Sequence, residues 1–101
     1  MKLMTKELRK KFPELYANEH KKPEEVEIIA KFFNPCGAAT WWATEFNQED
    51  TFFGYVNLGD DMCAELGYFS LSELESIRLP FGLRIERDLH YSGHTLAEVM
   101  V

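Results

Sequence analysis

Three runs of β-branched and aromatic residues lie between positions 26 and 58 of this 101-residue chain, and only short stretches separate them. The runs cover residues 26–33, 40–46 and 51–58, and their composition is typical of β-strands. The intervening NPCGAA and NQED stretches are too short for a crossover connection, so they join antiparallel neighbours. A shorter run follows at 65–69, after the GDDM turn. The sequence therefore predicts an antiparallel meander of about four strands.

Helical signals precede the predicted strands. Thr5 is a candidate N-cap, and apolar residues from Leu8 to Tyr16 recur with the spacing of one helix face. Pro13 removes a backbone donor and disfavours helical geometry in the residue before it. We therefore expect an N-terminal helix that packs on the sheet and kinks or breaks near Pro13.

Two capping signatures predict short helices in the second half of the chain. Ser70 is followed three residues later by Glu73, and Pro80 then provides a stop. Thr95 and Glu98 repeat the pattern near the C-terminus. Together with the strands, these helices predict an α+β fold: a single two-layer domain over residues 1–101, with an N-terminal helix and short C-terminal helices around the meander.

The two tryptophans bear on how the sheet is covered. Trp41 and Trp42 are consecutive, so in a regular strand their rings point to opposite faces of the sheet. One of them therefore needs a second cover, which another helix, the C-terminal segment or a partner could supply. A homodimer through this second aromatic face would be one such arrangement.

Composition separates this chain from several protein classes. Hydrophobic residues make up 46% of it, as in a folded domain rather than a disordered segment. The two cysteines, Cys36 and Cys63, are too few for a disulfide framework, and we expect both as reduced, buried thiols. No apolar run has the character of a signal peptide or the length of a membrane span. The sequence therefore predicts a cytoplasmic protein without a membrane partner.

The chain has a net charge of −6, and its charged residues are distributed unevenly along the sequence. Residues 1–11 carry five Lys or Arg side chains and only one acid. In contrast, the 46 residues from 32 to 77 contain eight Asp or Glu and no Lys or Arg. Glu73 and Glu75 have a local explanation, because acids are favourable near the N-terminus of a helix. The other acids predict a negative surface that repels polyanions and attracts basic proteins.

Several long strings of the sequence resemble one protein family. They are MKLMTKELRKKFPELYANE, KFFNPCGAATWWATEF, FFGYV, ELGYFSLSELESI and LPFGLRIERDLHY. With these strings the chain resembles, over nearly its whole length, the small bacterial proteins catalogued as domain of unknown function 2958. The resemblance implies a bacterial setting on plasmids and other mobile elements, and it assigns no catalytic residue.

Candidate catalytic and metal-binding residues are few. Asp88, His90 and His94 are side chains of the kind that ligate metals, but the YSG stretch between the histidines is typical of a turn. Cys36 would need a basic neighbour to act as a nucleophile. The common hydrolase, metalloprotease and nucleotide-binding fingerprints are absent from the sequence. We therefore favour a protein that is not an enzyme and needs no cofactor, and we keep a small enzyme or metal-binding protein using the 88–94 loop as an alternative.

Nucleic-acid binding is a second alternative. The basic N-terminal helix and the aromatic strands have the groups needed to contact phosphates and to stack on bases. Beyond this small patch, a net charge of −6 and the acidic middle of the chain repel a polyanion. We therefore do not expect nucleic acid to be the main partner.

The favoured hypothesis is a protein-interaction module. Carboxylates on strand ends and turns would raise the encounter rate with a basic protein, and an aromatic ring would anchor the contact. In the setting that the resemblance implies, such a surface could mimic phosphates and inhibit a nucleic-acid-binding protein. An acidic surface that only confers solubility is the competing interpretation. The predicted partner-binding residues are Trp41, Glu45, Glu49, Asp50, Asp60, Asp61 and Glu65.

Overall fold

A computed structural model describes residues 2–100 of the chain. Within these residues a helix precedes four consecutive strands, and a second helix, a fifth strand and a third helix follow them. The strands are β1 (Ala30–Phe33), β2 (Thr40–Phe46), β3 (Thr51–Asn57), β4 (Glu65–Ser70) and β5 (Glu86–Arg87). The helices are α1 (Lys6–Lys11), α2 (Leu71–Ser76) and α3 (Leu96–Val99), with 3₁₀ turns at Pro23–Glu25, Asp61–Cys63 and Pro80–Gly82. The predicted α+β class is confirmed.

The strands form one antiparallel sheet in the order β4-β3-β2-β1-β5. Its first four strands are the predicted meander. The prediction of about four strands misses β5, in which Glu86 and Arg87 pair with Phe33 and Phe32 at the edge beyond β1. Two residues carry no periodicity, so only the exposed backbone of β1 decides that this strand forms.

The first strand is shorter than its sequence run, because the run divides between two partners. Residues 30–33 pair with β2, whereas residues 26–29 mainly meet the C-terminal segment. There the N–H of Ile28 donates to the carbonyl of His94 at 3.0 Å, and the N–H of Leu96 donates to the carbonyl of Val26 at 2.8 Å. Val26, Ile28 and Leu96 are buried. The apolar residues of this run therefore anchor the C-terminal segment as well as the sheet.

Five phenylalanines form the centre of the core on one face of the sheet. The ring of Phe52 stacks on Phe46 and Phe69, with centroids 4.5 and 5.2 Å apart, and lies 5.4 and 5.6 Å from Phe32 and Phe12. Such ring pairs stabilise a core beyond the burial of their surface. The same core contains Leu3, Met4, Trp41, Leu71, Leu74 and Ile85. We call this face of the sheet the core face and the opposite one the second face.

The N-terminal helix begins as predicted and ends early. The hydroxyl of Thr5 accepts a hydrogen bond from the N–H of Leu8 at 3.1 Å, and α1 stops two residues before Pro13. Phe12 still enters the core, whereas Tyr16 has a left-handed backbone (φ 71°) and an exposed ring. The predicted apolar helix face therefore does not extend to Tyr16, because Pro13 breaks the helix.

Both predicted C-terminal helices are present, with different caps. The hydroxyl of Ser70 accepts a hydrogen bond from the N–H of Glu73 at 3.0 Å, so α2 has the predicted side-chain cap. Thr95 occupies the N-cap position of α3, but its side chain makes no capping bond. The contact of this segment with residues 26–28 takes over that role, because it holds the start of α3 in place.

The two cysteines differ from the prediction in their burial. Cys36 lies in the turn between β1 and β2, and Cys63 in the turn between β3 and β4. Both are free thiols and both are exposed, so the expectation of buried thiols is wrong. Turn backbones run over the surface, and a short side chain on such a turn does not reach the core.

Candidate protein-interaction surface

The predicted partner-binding acids do not form one surface. Glu49 and Asp50 lie in the turn before β3, and Asp60 and Asp61 lie in the turn after it. The seven residues of β3 separate these two turns by about 23 Å, at roughly 3.3 Å per residue. Glu65 begins β4 next to the second turn, so it belongs with Asp60 and Asp61. We call Asp60, Asp61 and Glu65 the acidic end.

Two of the predicted residues are inside the protein. Trp41 is 8% exposed and pairs with Phe32 and Val56 on the core face, and Glu45 is 4% exposed. A ring that belongs to the core is not available to a partner, so its burial does not fit the anchoring role predicted for Trp41. Trp42, one residue later, faces the opposite side and is half-buried.

Asp50 stabilises the fold rather than offering a free charge. Its carboxylate accepts hydrogen bonds from the N–H of Ser72 at 2.8 Å and from the hydroxyls of Ser72 and Ser70 at 2.7 and 2.9 Å. These bonds favour the ionised form and lower the pKa of Asp50, with the Ser72 hydroxyl as the largest cause. The turn between β2 and β3 is thereby fastened to the start of α2.

The turn that carries the acidic end is held by its own side chains. The carboxylate of Asp60 accepts from the N–H of Met62 at 3.0 Å, and that of Asp61 accepts from the side-chain amide of Asn57 at 2.7 Å. Each carboxylate keeps further acceptor capacity towards solvent. Next to them, Leu58 is 70% exposed and Met62 is 94% exposed. Carboxylates and apolar side chains are therefore presented together at this end.

The opposite end of the sheet has a mixed charge. The guanidinium of Arg9 on α1 donates to the carbonyl of Gln48 at 3.2 Å and lies 5.3 Å from the centre of the Phe46 ring. The side chain of Gln48 in turn donates to the carbonyl of Arg9 at 2.9 Å. The basic helix is thus attached to the turn that carries Glu49 and Asp50.

A cleft of about 310 Å³ opens on the second face of the sheet. Glu45 lies in its wall, where the carboxylate accepts hydrogen bonds from the N–H of Tyr16 and from the side-chain amide of Asn18. The Tyr16 side chain is the main cause that raises the pKa of the neighbouring Tyr68 hydroxyl. The ring of Phe53 lies 5.1 Å from that of Tyr68. The cleft therefore combines aromatic rings with a buried carboxylate.

The C-terminal segment covers Trp42 on the second face. Burial is the chief cause that raises the pKa of Tyr91, the charge of Glu98 adds to it, and the neighbouring Trp42 side chain lowers it. The Tyr91 ring lies 4.4 Å from that of His94 and 5.4 Å from the ammonium of Lys31. Of the three covers expected for the second tryptophan, the chain thus supplies one itself.

The two histidines of the 88–94 loop have separate local partners. The carboxylate of Asp88 accepts a hydrogen bond from the backbone N–H of His90 at 3.0 Å, and the ring nitrogen Nδ1 of His94 is 2.8 Å from the carboxylate of Glu98 on α3. Within residues 2–100, no three His, Cys, Asp or Glu side chains are grouped so that they could hold a metal ion.

Comparison with known proteins places the chain in a family. A family model described as "Protein of unknown function (DUF2958)" matches residues 3–100. The chain belongs to the DUF2958 family. This confirms the resemblance that the sequence strings indicated, and the match covers the sheet, the acidic end and the cleft of this DUF2958 protein. No curated protein and no solved structure matches it.

None of the helices within residues 2–100 of the DUF2958 chain is long and apolar enough to cross a bilayer.

Proposed function

We propose that this DUF2958 chain is a cytoplasmic protein-interaction module of a bacterial mobile element, and that its acidic end docks on a basic, nucleic-acid-binding protein. One observation carries the proposal: the carboxylates of Asp60, Asp61 and Glu65 lie beside the exposed side chains of Leu58 and Met62. Charge steers a basic partner to this end, and apolar contact then slows its release.

The geometry of the turn suits recognition of a positively charged surface. The carboxylates of Asp60 and Asp61 are already oriented by Met62 and Asn57, so binding need not order them. Arg and Lys side chains that bind phosphates also bind carboxylates, often through paired hydrogen bonds. The acidic end would therefore occupy a phosphate-binding site of the partner as a mimic of nucleic acid and inhibit it.

A triple amide variant tests the acidic end. Replacing its three carboxylates by amides removes three negative charges and keeps one oxygen at positions 60 and 61 to accept the hydrogen bonds from Met62 and Asn57. The variant is D60N/D61N/E65Q. The tagged protein is used to capture partners from a nuclease-treated lysate of a bacterial host at low and at high salt, and the captured proteins are identified by mass spectrometry.

The matched control changes the net charge equally at the other end of the sheet. It replaces exposed acids around α2 and the β2–β3 turn. The control is E49Q/E73Q/E75Q. We expect a basic protein that the wild type and the control capture at low salt, that high salt releases, and that the acidic-end variant does not capture. Equal capture by both variants would assign the acidity to solubility.

A further inference from the structure

The outer edge of β4 is an open strand edge. Among the described residues, β4 pairs with β3 on one side and with no strand on the other. Its pairing with β3 is continuous from Glu65 to Ser70, without a bulge, and its sequence ELGYFS contains no Lys, Arg or Pro. Proteins usually protect such edges with short strands, lysines, prolines, bulges or a covering element. The edge at β5 is protected in one of these ways, because β5 has only two residues.

The alternation of hydrogen bonds between β3 and β4 shows which backbone N–H and C=O groups of β4 face away from β3. The N–H of Leu71 donates to the carbonyl of Asp50 at 2.8 Å, one step beyond the end of the β3–β4 pairing. In an antiparallel ladder, alternate residues direct their N–H and C=O groups to the same neighbour. The odd-numbered residues of β4 therefore face β3, and the N–H and C=O groups of Leu66 and Tyr68 point away from the sheet.

The side chains at this edge lead into the cleft on the second face. Leu66 and Tyr68 are 41% and 55% exposed, and both line the cleft. A strand added beside them would place every second side chain over the same cleft. There it would meet the rings of Tyr16 and Tyr68 and the acids Glu19 and Glu45, with Lys21 as the basic residue of the lining. Aromatic rings beside carboxylates suit a Lys or Arg side chain.

We infer that β4 accepts an extended, basic segment of a partner protein as an additional strand, with Lys or Arg side chains directed into the cleft. Backbone hydrogen bonds to Leu66 and Tyr68 provide affinity, and the cleft selects the side chains. The inference rests on the proposed function in one respect, the basic character of the partner. Charge argues against a second copy of this chain as the occupant, because each copy carries −6 and brings Glu65 to the edge.

A defined peptide tests the added strand on the intact protein. The probe is a fluorescent nine-residue peptide in which Lys alternates with Thr or Val, and its binding is followed by anisotropy. A peptide with the same side chains and N-methylated backbone lacks the donors, so we expect it to bind at least tenfold more weakly. A third peptide with Glu in place of Lys should also bind at least tenfold more weakly, because the cleft is acidic.

Amide hydrogen exchange locates the contact. With the lysine peptide bound, the N–H groups of Leu66 and Tyr68 should exchange at least tenfold more slowly, whereas that of Gly67, already directed to β3, should change little. Equal binding of the methylated peptide, no binding of the lysine peptide, or unchanged exchange at Leu66 and Tyr68 would each overturn the inference. A dimer by sedimentation, with these two amides protected before peptide is added, would also overturn it and assign the edge to a second copy.

The two proposals fail separately. If the lysine peptide protects Leu66 and Tyr68 while D60N/D61N/E65Q captures the same proteins as the wild type, the added strand stands and docking at the acidic end does not. If that variant loses its partner while the peptide leaves both amides unchanged, the acidic end stands and the added strand does not.

Discussion

The buried carboxylate of Glu45 accepts a hydrogen bond from the backbone N–H of Tyr16, 29 residues earlier in the chain. Tyr16 has a left-handed backbone, an uncommon conformation for a residue with a side chain. A second bond at 3.2 Å, from the side-chain amide of Asn18, fills the other oxygen of the same carboxylate. The middle of the sheet thus shapes the loop after α1, and this loop forms one wall of the cleft on the second face.

Removing this carboxylate should destabilise the protein. In Glu45→Ala, the N–H of Tyr16 and the amide of Asn18 lose their acceptor, and we expect the free energy of unfolding to fall by about 1–3 kcal/mol. The measurement is urea unfolding followed by tryptophan fluorescence. Glu65→Ala is the control, because Glu65 is exposed and its loss should change stability by no more than about 0.5 kcal/mol. If the free energy of unfolding falls no more in Glu45→Ala than in Glu65→Ala, the hydrogen bonds of Glu45 do not stabilise the fold.

Two paired glycines in neighbouring strands should respond differently to the same substitution. A Cβ on Gly54 would lie 1.8 Å from the carbonyl oxygen of Trp42, whereas a Cβ on its partner Gly67 would meet nothing within 4 Å. We expect Gly54→Ala to cost about 3 kcal/mol or more, or to prevent folding, because the nearest atom is backbone and cannot move aside. Gly67→Ala should be within roughly 0.5 kcal/mol of the wild type. Thermal unfolding checks both, and a folded, stable Gly54→Ala would contradict the register of β2 and β3.

Stability should depend on pH through Asp50. Its pKa is lower in the folded protein, so its contribution is present above the unfolded pKa of about 3.9 and disappears as the pH falls through the folded pKa. Asp50→Asn does not titrate at this position. The difference in urea midpoint between the wild type and Asp50→Asn should therefore be constant between about pH 5 and pH 7 and shrink below about pH 4. A difference that persists unchanged in acid would show that the ionised form is not what the serines stabilise.

Much of the fold was predictable because its signals are local. β2 has the predicted bounds, and the caps of α1 and α2 form at Thr5 and Ser70. A cap depends on one side chain and a backbone N–H three residues away, and a strand run depends on its own composition. The α+β class follows from the order of these elements. Short turns between the runs were enough to predict antiparallel neighbours.

The candidate interaction surface was less predictable, because it depends on distant pairing. The adjacent positions of Trp41 and Trp42 predict opposite faces, but only the register with β1 and β3 places Trp41 in the core. The acid run predicts a negative surface, yet the length of β3 divides it into two ends. Glu45 appears in that run as one acid among eight, and nothing local indicates that it is buried beneath Tyr16.

By itself the sequence determined the elements that arise within a few residues: the strand runs, the turns between them, the helix caps and the break at Pro13. Tertiary structure alone decided which tryptophan is buried, that Glu86 and Arg87 form a strand, and that Leu66 and Tyr68 lie on an open edge above a cleft. The physical reason is the separation along the chain of the residues that must interact. Caps and turns form between neighbours in the chain, whereas faces, edges and buried carboxylates exist only once segments tens of residues apart have paired.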